Sequence, residues 1–191
     1  RVVRGPAFLQ NRPSPSPDLR VSRPLHPDLL DYLRIGLSIH LGGRTAQGLP
    51  LLNRALALRV EPDHRLSVLL SSPAADTLLD AIREVPQVAV VLCQPTTHRT
   101  VQIKGRDAVV SPARPEDWLH RSEHKLRFVT EIRPFGFDEV FASAWLDVDS
   151  PDRLHAVTFT PYGAWNQSPG PGAGRPPAGA GWHRERLQAP A

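Results

Sequence analysis

Between residues 26 and 165 the apolar residues come in short runs separated by turn-forming clusters, and no run approaches the ~18 residues a membrane-spanning helix needs. A core built from such segments has to be assembled from many strands and a few helices. Asp28–Arg34 reads as a short helix after Pro27, with Leu29, Leu30 and Leu33 on one side. Gly36–Leu41, Leu51–Val60 and Leu66–Leu70 read as three strands joined by short turns, an antiparallel meander. Ser72-Pro73 reads as an N-cap followed by a first-turn proline, opening a helix with Leu78, Leu79, Ile82 and Val85 on its apolar side. Val88–Leu92 and Thr100–Val110 follow as strands. Pro115–Ile132 is a longer helix with an expected apolar face of Trp118, Leu119, Ser122, Leu126 and Val129, and Ala156–Thr160 is a last strand. The fold class is mainly β: a closed or half-closed antiparallel barrel with helices at its ends.

The domain is expected to occupy residues 26–165. Residues 1–25 hold five prolines and five arginines and read as an extended tail; residues 166–191 form a second segment too rich in Pro and Gly for regular structure. The tails also carry the charge. Five Arg oppose one Asp over residues 1–25, and three Arg oppose one Glu over 166–191. The chain is +4 in all, so residues 26–165 are left at −2. The domain therefore offers no overall basic surface for nucleic acid, and five Arg spread over 25 residues make no dense patch. One cysteine, Cys93, excludes an internal disulfide framework and a cysteine-rich zinc module; at the end of an apolar strand it reads as structural. The sequence does not open on a charged segment followed by an apolar stretch, so the expected compartment is the cytoplasm.

Two segments resemble the pyridoxamine 5'-phosphate oxidase family of flavin-binding split barrels. Arg54-Ala-Leu-Ala-Leu-Arg59 is similar to that family's Arg-x-Val-Leu-Leu-Lys strand. Gln94-Pro-Thr-Thr-His-Arg-Thr-Val-Gln-Ile-Lys-Gly105 is similar to its Pro-Thr-Thr-x-Arg-x-x-Gln-x-x-Gly strand, and Trp182 with Arg186-Leu187 echoes the ending of the classical oxidases. The resemblance, with its element order, spans residues 28–161. It implies a split antiparallel barrel with flanking helices, FMN at the interface of a homodimer, and a flavoprotein oxidoreductase acting on a small molecule.

The residues it points to are Arg54, Leu56, Arg59, Ser71, Ser72, Thr97, Arg99, Thr100 and Gln102. Arg54 and Arg59 can offer a planar fork to phosphate or to pyrimidine carbonyls. The backbone around Leu56 would face the ring edge, Ser71 and Ser72 would donate at a helix start, and Thr97, Arg99, Thr100 and Gln102 would add donors. One departure stands out: where classical oxidases carry a Ser-Arg-Lys phosphate clamp, this chain has Pro73-Ala-Ala-Asp76. An acid in that place also admits a deazaflavin or haem, and a non-catalytic carrier or sensor on the same fold. The Arg-x-His with which classical oxidases hold pyridoxal phosphate has no counterpart near the C-terminus, so the namesake activity is not implied. No catalytic residue follows from the motifs; His98 and Arg99 stand nearest to the expected site. His120-Arg-Ser-Glu-His124 spells a zinc motif, but with no third ligand in sight it reads as a solvated helix face, and no metal is expected.

Overall fold

The computed structural model describes residues 25–175. The expected sequence positions of Trp182, Arg186 and Leu187, and the tail at 1–24, lie outside them. Helix α1 (Pro27–Leu33) precedes β1 (Ser38–Arg44), β2 (Pro50–Arg54), β3 (Ala57–Val60) and β4 (Leu66–Ser71). Then come α2 (Asp76–Glu84), β5 (Val88–Cys93), β6 (Thr100–Gly105), β7 (Val109–Pro112), α3 (Pro115–Ile132), α4 (Glu139–Leu146), β8 (Leu154–Phe159) and β9 (Gly163–Asn166). The strands make two antiparallel sheets, β2-β1-β5-β6-β9 and β3-β4-β8-β7, flanked by helices. This is the split antiparallel arrangement, with two separate sheets rather than one closed wall.

The split comes from two strands that break where one continuous strand was expected. Leu51–Val60 divides into β2 and β3, which belong to different sheets. Consecutive amides make the switch: Ala55 N–H donates to Ile39 O of the five-stranded sheet at 2.9 Å, and Leu56 N–H donates to Leu69 O of the four-stranded sheet at 2.8 Å. Both residues are buried, so the chain crosses between sheets with its backbone groups satisfied. Thr100–Val110 divides in the same way into β6 and β7. Apolar residues flank both breaks, Ala55–Leu58 at the first and Ala108–Val110 at the second, which is why the pattern alone joins the strands across them.

The main core lies between the sheets and α2, with Ile39, Leu41, Leu66, Leu70, Leu79, Val90, Ile103 and Phe159 at its centre. A second cluster joins Leu56 to Phe128, Val129 and Ile132 of α3, Ala142 and Leu146 of α4, and Leu154. Helix α2 begins at Asp76, three residues later than the expected Pro73, with Ala75 as a cap that makes no side-chain bond. Ser72 is therefore not an N-cap: its hydroxyl donates to Asp76 Oδ1, and its N–H to Arg153 O. Helix α3 spans its expected residues but turns a different face inward. Asp117, Arg121, His124, Phe128, Val129 and Ile132 are buried, whereas Leu119 and Leu126 are 62% and 60% exposed. Helix α4 and strand β9 were not anticipated. The segment after β9 folds back on it, with Gln167 N–H donating to Thr100 O and Asn166 N–H to Arg175 O, both at 2.7 Å.

Helix α3 crosses the start of β1 in backbone contact. A Cβ on Gly36 would lie 2.1 Å from the carbonyl carbon and oxygen of Arg127 and 2.3 Å from Phe128 N. No side-chain rotation relieves a clash with backbone. Gly36→Ala is expected to lower stability by roughly 2 kcal/mol, as overpacking does, read as a shift in the urea midpoint; an unchanged midpoint would show that the crossing can open freely.

Candidate functional site

Strand alternation gives the five-stranded sheet a buried and an outer face. On the outer face the cross-strand register aligns Arg54, His40, Val91, Gln102 and Trp165 in one row. The next row holds Leu52, Gly42, Ala89, Lys104 and Gly163. Ser38, Cys93 and Thr100 lie beyond the first row, Pro50 and Arg44 beyond the second. None of these positions carries an acid.

Arg54 ends the first row, on the edge strand β2. Its guanidinium is half-buried and lies 3.7 Å over the ring of Trp145 from α4. Among the described residues it has no carboxylate partner. Burial lowers its pKa, yet an arginine stays charged at any physiological pH. A half-buried cation without a counter-charge is costly unless a ligand supplies the anion. Trp145 continues a belt of rings on α4 and the loop before it: Phe141 lies 5.0 Å from it and 4.3 Å from Phe137, centroid to centroid. Trp145 and Phe137 are 43% and 44% exposed. Beside Arg54, His40 is held below its ordinary pKa, first by burial and then by the Arg54 charge, so it is a neutral imidazole at physiological pH. Neither His40 nor Gln102 has a side-chain hydrogen-bond partner among the described residues.

The structure thus brings three of the nine expected residues, Arg54, Thr100 and Gln102, onto one face. Thr100 spends its hydroxyl proton on His98 O at 3.0 Å. Arg99 stands at the exposed end of the β5–β6 turn with its guanidinium 4.6 Å over Tyr32, and Thr97 donates within that turn to Gln94 at 2.9 Å. His98 occupies the tip of the turn with φ +56°. Ser71 ends β4 in the other sheet, and Ser72 is engaged with Asp76. Leu56 is in the second core, and its N–H is already used by Leu69 O.

Arg59 is drawn into a different set of contacts. It pairs with Glu61 at 3.1 Å and touches Asp117 at 3.0 Å, both acids being buried. Its charge is therefore compensated inside the protein rather than offered to a phosphate. The acid at the α2 start likewise opposes a phosphate there. Sequence reasoning missed His40 and Trp145. His40 could have been found from its place opposite Arg54 in a hairpin; Trp145 reads from the sequence as core or interface packing rather than a ring wall, because nothing local marks α4, which brings it over Arg54.

The zinc-like motif does not assemble. His120 is half-exposed, with Nδ1 3.6 Å from Glu123, whereas His124 is buried and donates from Nε2 to Leu37 O at 3.0 Å. No group of three potential ligands could hold a metal ion among the described residues. No helix among them is long and apolar enough to cross a membrane.

No protein-family profile matches the sequence, and no curated protein matches it. Solved structures do resemble the fold. An F420 reductase is 14% identical with a TM-score of 0.47, the match covering 70% of this chain and 93% of that one. A pyridoxamine 5'-phosphate oxidase-related, FMN-binding protein from Nostoc punctiforme is 16% identical with a TM-score of 0.39, covering 72% and 75%. A putative pyridoxamine 5'-phosphate oxidase from Lactobacillus delbrueckii is 14% identical with a TM-score of 0.47, covering 77% and 97%. The structures that resemble this chain thus include members of the pyridoxamine 5'-phosphate oxidase group whose strand motifs its sequence resembles.

Proposed function

We propose that this chain is a flavin-binding protein of the pyridoxamine 5'-phosphate oxidase-like group, holding FMN or a related flavin against the outer face of its five-stranded sheet. The observation that carries this reading is Arg54: a half-buried guanidinium with no carboxylate partner among the described residues, stacked on an exposed tryptophan. An anionic, flat, aromatic ligand answers each part of that description. Arg54 would take its anionic edge, Trp145 and Phe141 its ring, and Gln102 its polar rim. Such a cofactor supplies hydride or electron transfer, and the protein supplies position and charge. His40, neutral and unpartnered beside Arg54, is the proton acceptor in reach of that ligand. Oxidoreductase activity on a small substrate follows from this reading, as does a homodimer in which a second copy covers the exposed belt of Phe137, Val140 and Trp145. The Ser72–Asp76 contact favours a flavin whose phosphate is held away from the α2 start, and a deazaflavin meets that condition as well as FMN.

The test is a fluorescence titration of FMN with the purified chain. Binding with quenching is expected, and Arg54→Ala is expected to weaken it roughly tenfold or more while the thermal midpoint holds, since charge-assisted bonds are worth ~1.5–3 kcal/mol. No spectral change up to about 100 µM FMN, a range that covers micromolar affinity, would reject FMN. Equal affinity in the variant would reject the placement.

A further inference from the structure

We propose a second ligand site on this chain, at the other end of the outer sheet face: a groove that takes a nucleotide, with its phosphates between Arg44 and Lys104. The groove has a volume of about 940 Å³, within the range of small-molecule sites. Its floor is made by Gly42, Ala89 and the flanking backbone of the central strands, and Leu52 borders it. Gly42 leaves that floor without a side chain, where a Cβ would make only ordinary contacts of 3.5–3.6 Å with Leu51 O, Ala89 O and the Leu52 side chain. A flat group can therefore approach the strands closely.

Three cations line the groove, Arg44, Lys104 and Arg106, and no carboxylate does. None of the three has a carboxylate partner among the described residues. Arg44 reaches the neutral Gln87 amide, Lys104 lies 4.9 Å over Trp165, and Arg106 lies 4.3 Å over Tyr162. Amide and ring contacts hold these side chains in place but leave their charge uncompensated. The nearest acid in sequence, Asp107, is taken by the N–H and hydroxyl of Thr160. Four other surface arginines are paired instead: Arg34, Arg65, Arg83 and Arg153 each meet a neighbouring aspartate. Lys104 stands two strands from Gly42, ~10 Å away. Cations anchored on strands that far apart each find an oxygen on a di- or triphosphate without having to converge on one atom, with its base over the glycine and alanine floor.

The groove and the Arg54 site lie at opposite ends of β2, and this inference does not depend on flavin binding. The experiment is calorimetric titration of the full chain with ADP, with inorganic pyrophosphate and adenosine as separate arms. Saturable ADP binding is expected, with pyrophosphate competing. Lys104→Gln and Arg44→Gln are each expected to weaken it roughly tenfold or more. Arg106→Gln, fully on the surface, provides the same reading with no demand on the fold. FMN affinity of the three variants is expected to stay unchanged, so failure of the groove and failure of the flavin site are read separately. No ADP binding up to about 1 mM, undiminished binding in all three variants, or displacement of bound FMN by ADP would overturn the second site. Binding of adenosine as tight as ADP would overturn the role given to the cations.

Discussion

Replacing Asp117 with alanine is expected to cost this protein about 3–5 kcal/mol, enough to threaten folding at physiological temperature. Asp117 is fully buried at the start of α3. One carboxylate oxygen accepts the Arg114 N–H at 2.8 Å, satisfying an otherwise orphaned donor of the first turn, and the other faces Arg59 Nε at 3.0 Å. Arg59 also holds Glu61, which is bound by Arg114 at 3.3 Å and by the hydroxyl of Ser67. Because Ser67 donates to that carboxylate, the 2.7 Å contact between Ser67 and Thr158 has Thr158 as donor. The cluster ties β3, β4 and β8 to α3, and every member depends on the others. Removing Asp117 strands part of the Arg59 charge in a site with little access to water. The double variant Arg59→Met/Asp117→Leu removes charge and counter-charge together, so it is expected to lose far less than the sum of the single changes. Urea denaturation of the wild type, both single variants and the double variant gives the cycle. Additive losses would show that the two side chains do not act as a pair. The same series bears on Arg59 as a candidate cofactor ligand: a stability loss in Arg59→Met as large as that of Asp117→Leu is the signature of a structural role.

The order of elements was legible in the sequence because local patterns decide it. Pro115 opens α3, and the continuous apolar run Val88–Leu92 marks β5. The sheet switches at Ala55–Leu56 and at the β6–β7 turn were not legible. The chain stays apolar through the first switch, and only the long-range amide partners, Ile39 O for one residue and Leu69 O for the next, reveal the break. The inward face of α3 was misread for a related reason. Its buried stripe begins with Asp117, Arg121 and His124, polar residues whose partners lie far away in sequence, while the apolar Leu119 and Leu126 face out. Arg121 Nη1, for instance, donates to Leu146 O at 2.9 Å and to Asp147 at 2.7 Å, at the end of a helix that no local pattern marks. The candidate site divides along the same line. The motif strands gave Arg54, Thr100 and Gln102, all on strands with regular alternation. Arg59 reads identically to Arg54 in sequence, and only the folded positions of Glu61 and Asp117 separate a committed arginine from an uncommitted one. His40 and Trp145 belong to the site through cross-strand and helix-to-sheet proximity, which no local motif encodes.

Stability is expected to fall by about 3 kcal/mol as pH drops from 7 to 4, with His124 as the cause. Its ring is buried under the crossing of α3 and β1, donating from Nε2 to Leu37 O, so the neutral form carries its proton on that nitrogen. Burial lowers its pKa from 6.5 to about 4; the Leu37 carbonyl opposes that shift, and the Arg127 charge adds to it. In the unfolded chain the same imidazole takes up a proton near pH 6.5. Below that pH the unfolded state binds one more proton than the folded state, and folding weakens by about 1.4 kcal/mol per pH unit until the folded ring also titrates near 4. The contribution is complete above pH 6.5 and lost across the window from 6.5 to 4. Asp147 and Asp63 do not mask it. Burial tends to raise Asp147, but Arg121 and Lys125 hold it below its ordinary value, and its hydrogen bond from Arg65 lowers Asp63, so both titrate below that window. The measurement is ΔG of unfolding by urea at several pH values from 7 to 4, for the wild type and for His124→Gln. Glutamine keeps a donor for the Leu37 carbonyl and has no proton to gain. A variant whose stability falls much less than that of the wild type over the window assigns the larger part of the acid sensitivity to this residue, the remainder falling to His40, whose pKa burial and the Arg54 charge also lower. Parallel curves would assign it elsewhere. His124 sits one turn from Arg127, whose backbone meets Gly36. Protonation would therefore loosen the contact that seats α3 against β1, the strand that carries His40 beside Arg54, and ligand binding at Arg54 is expected to weaken in the same acid window.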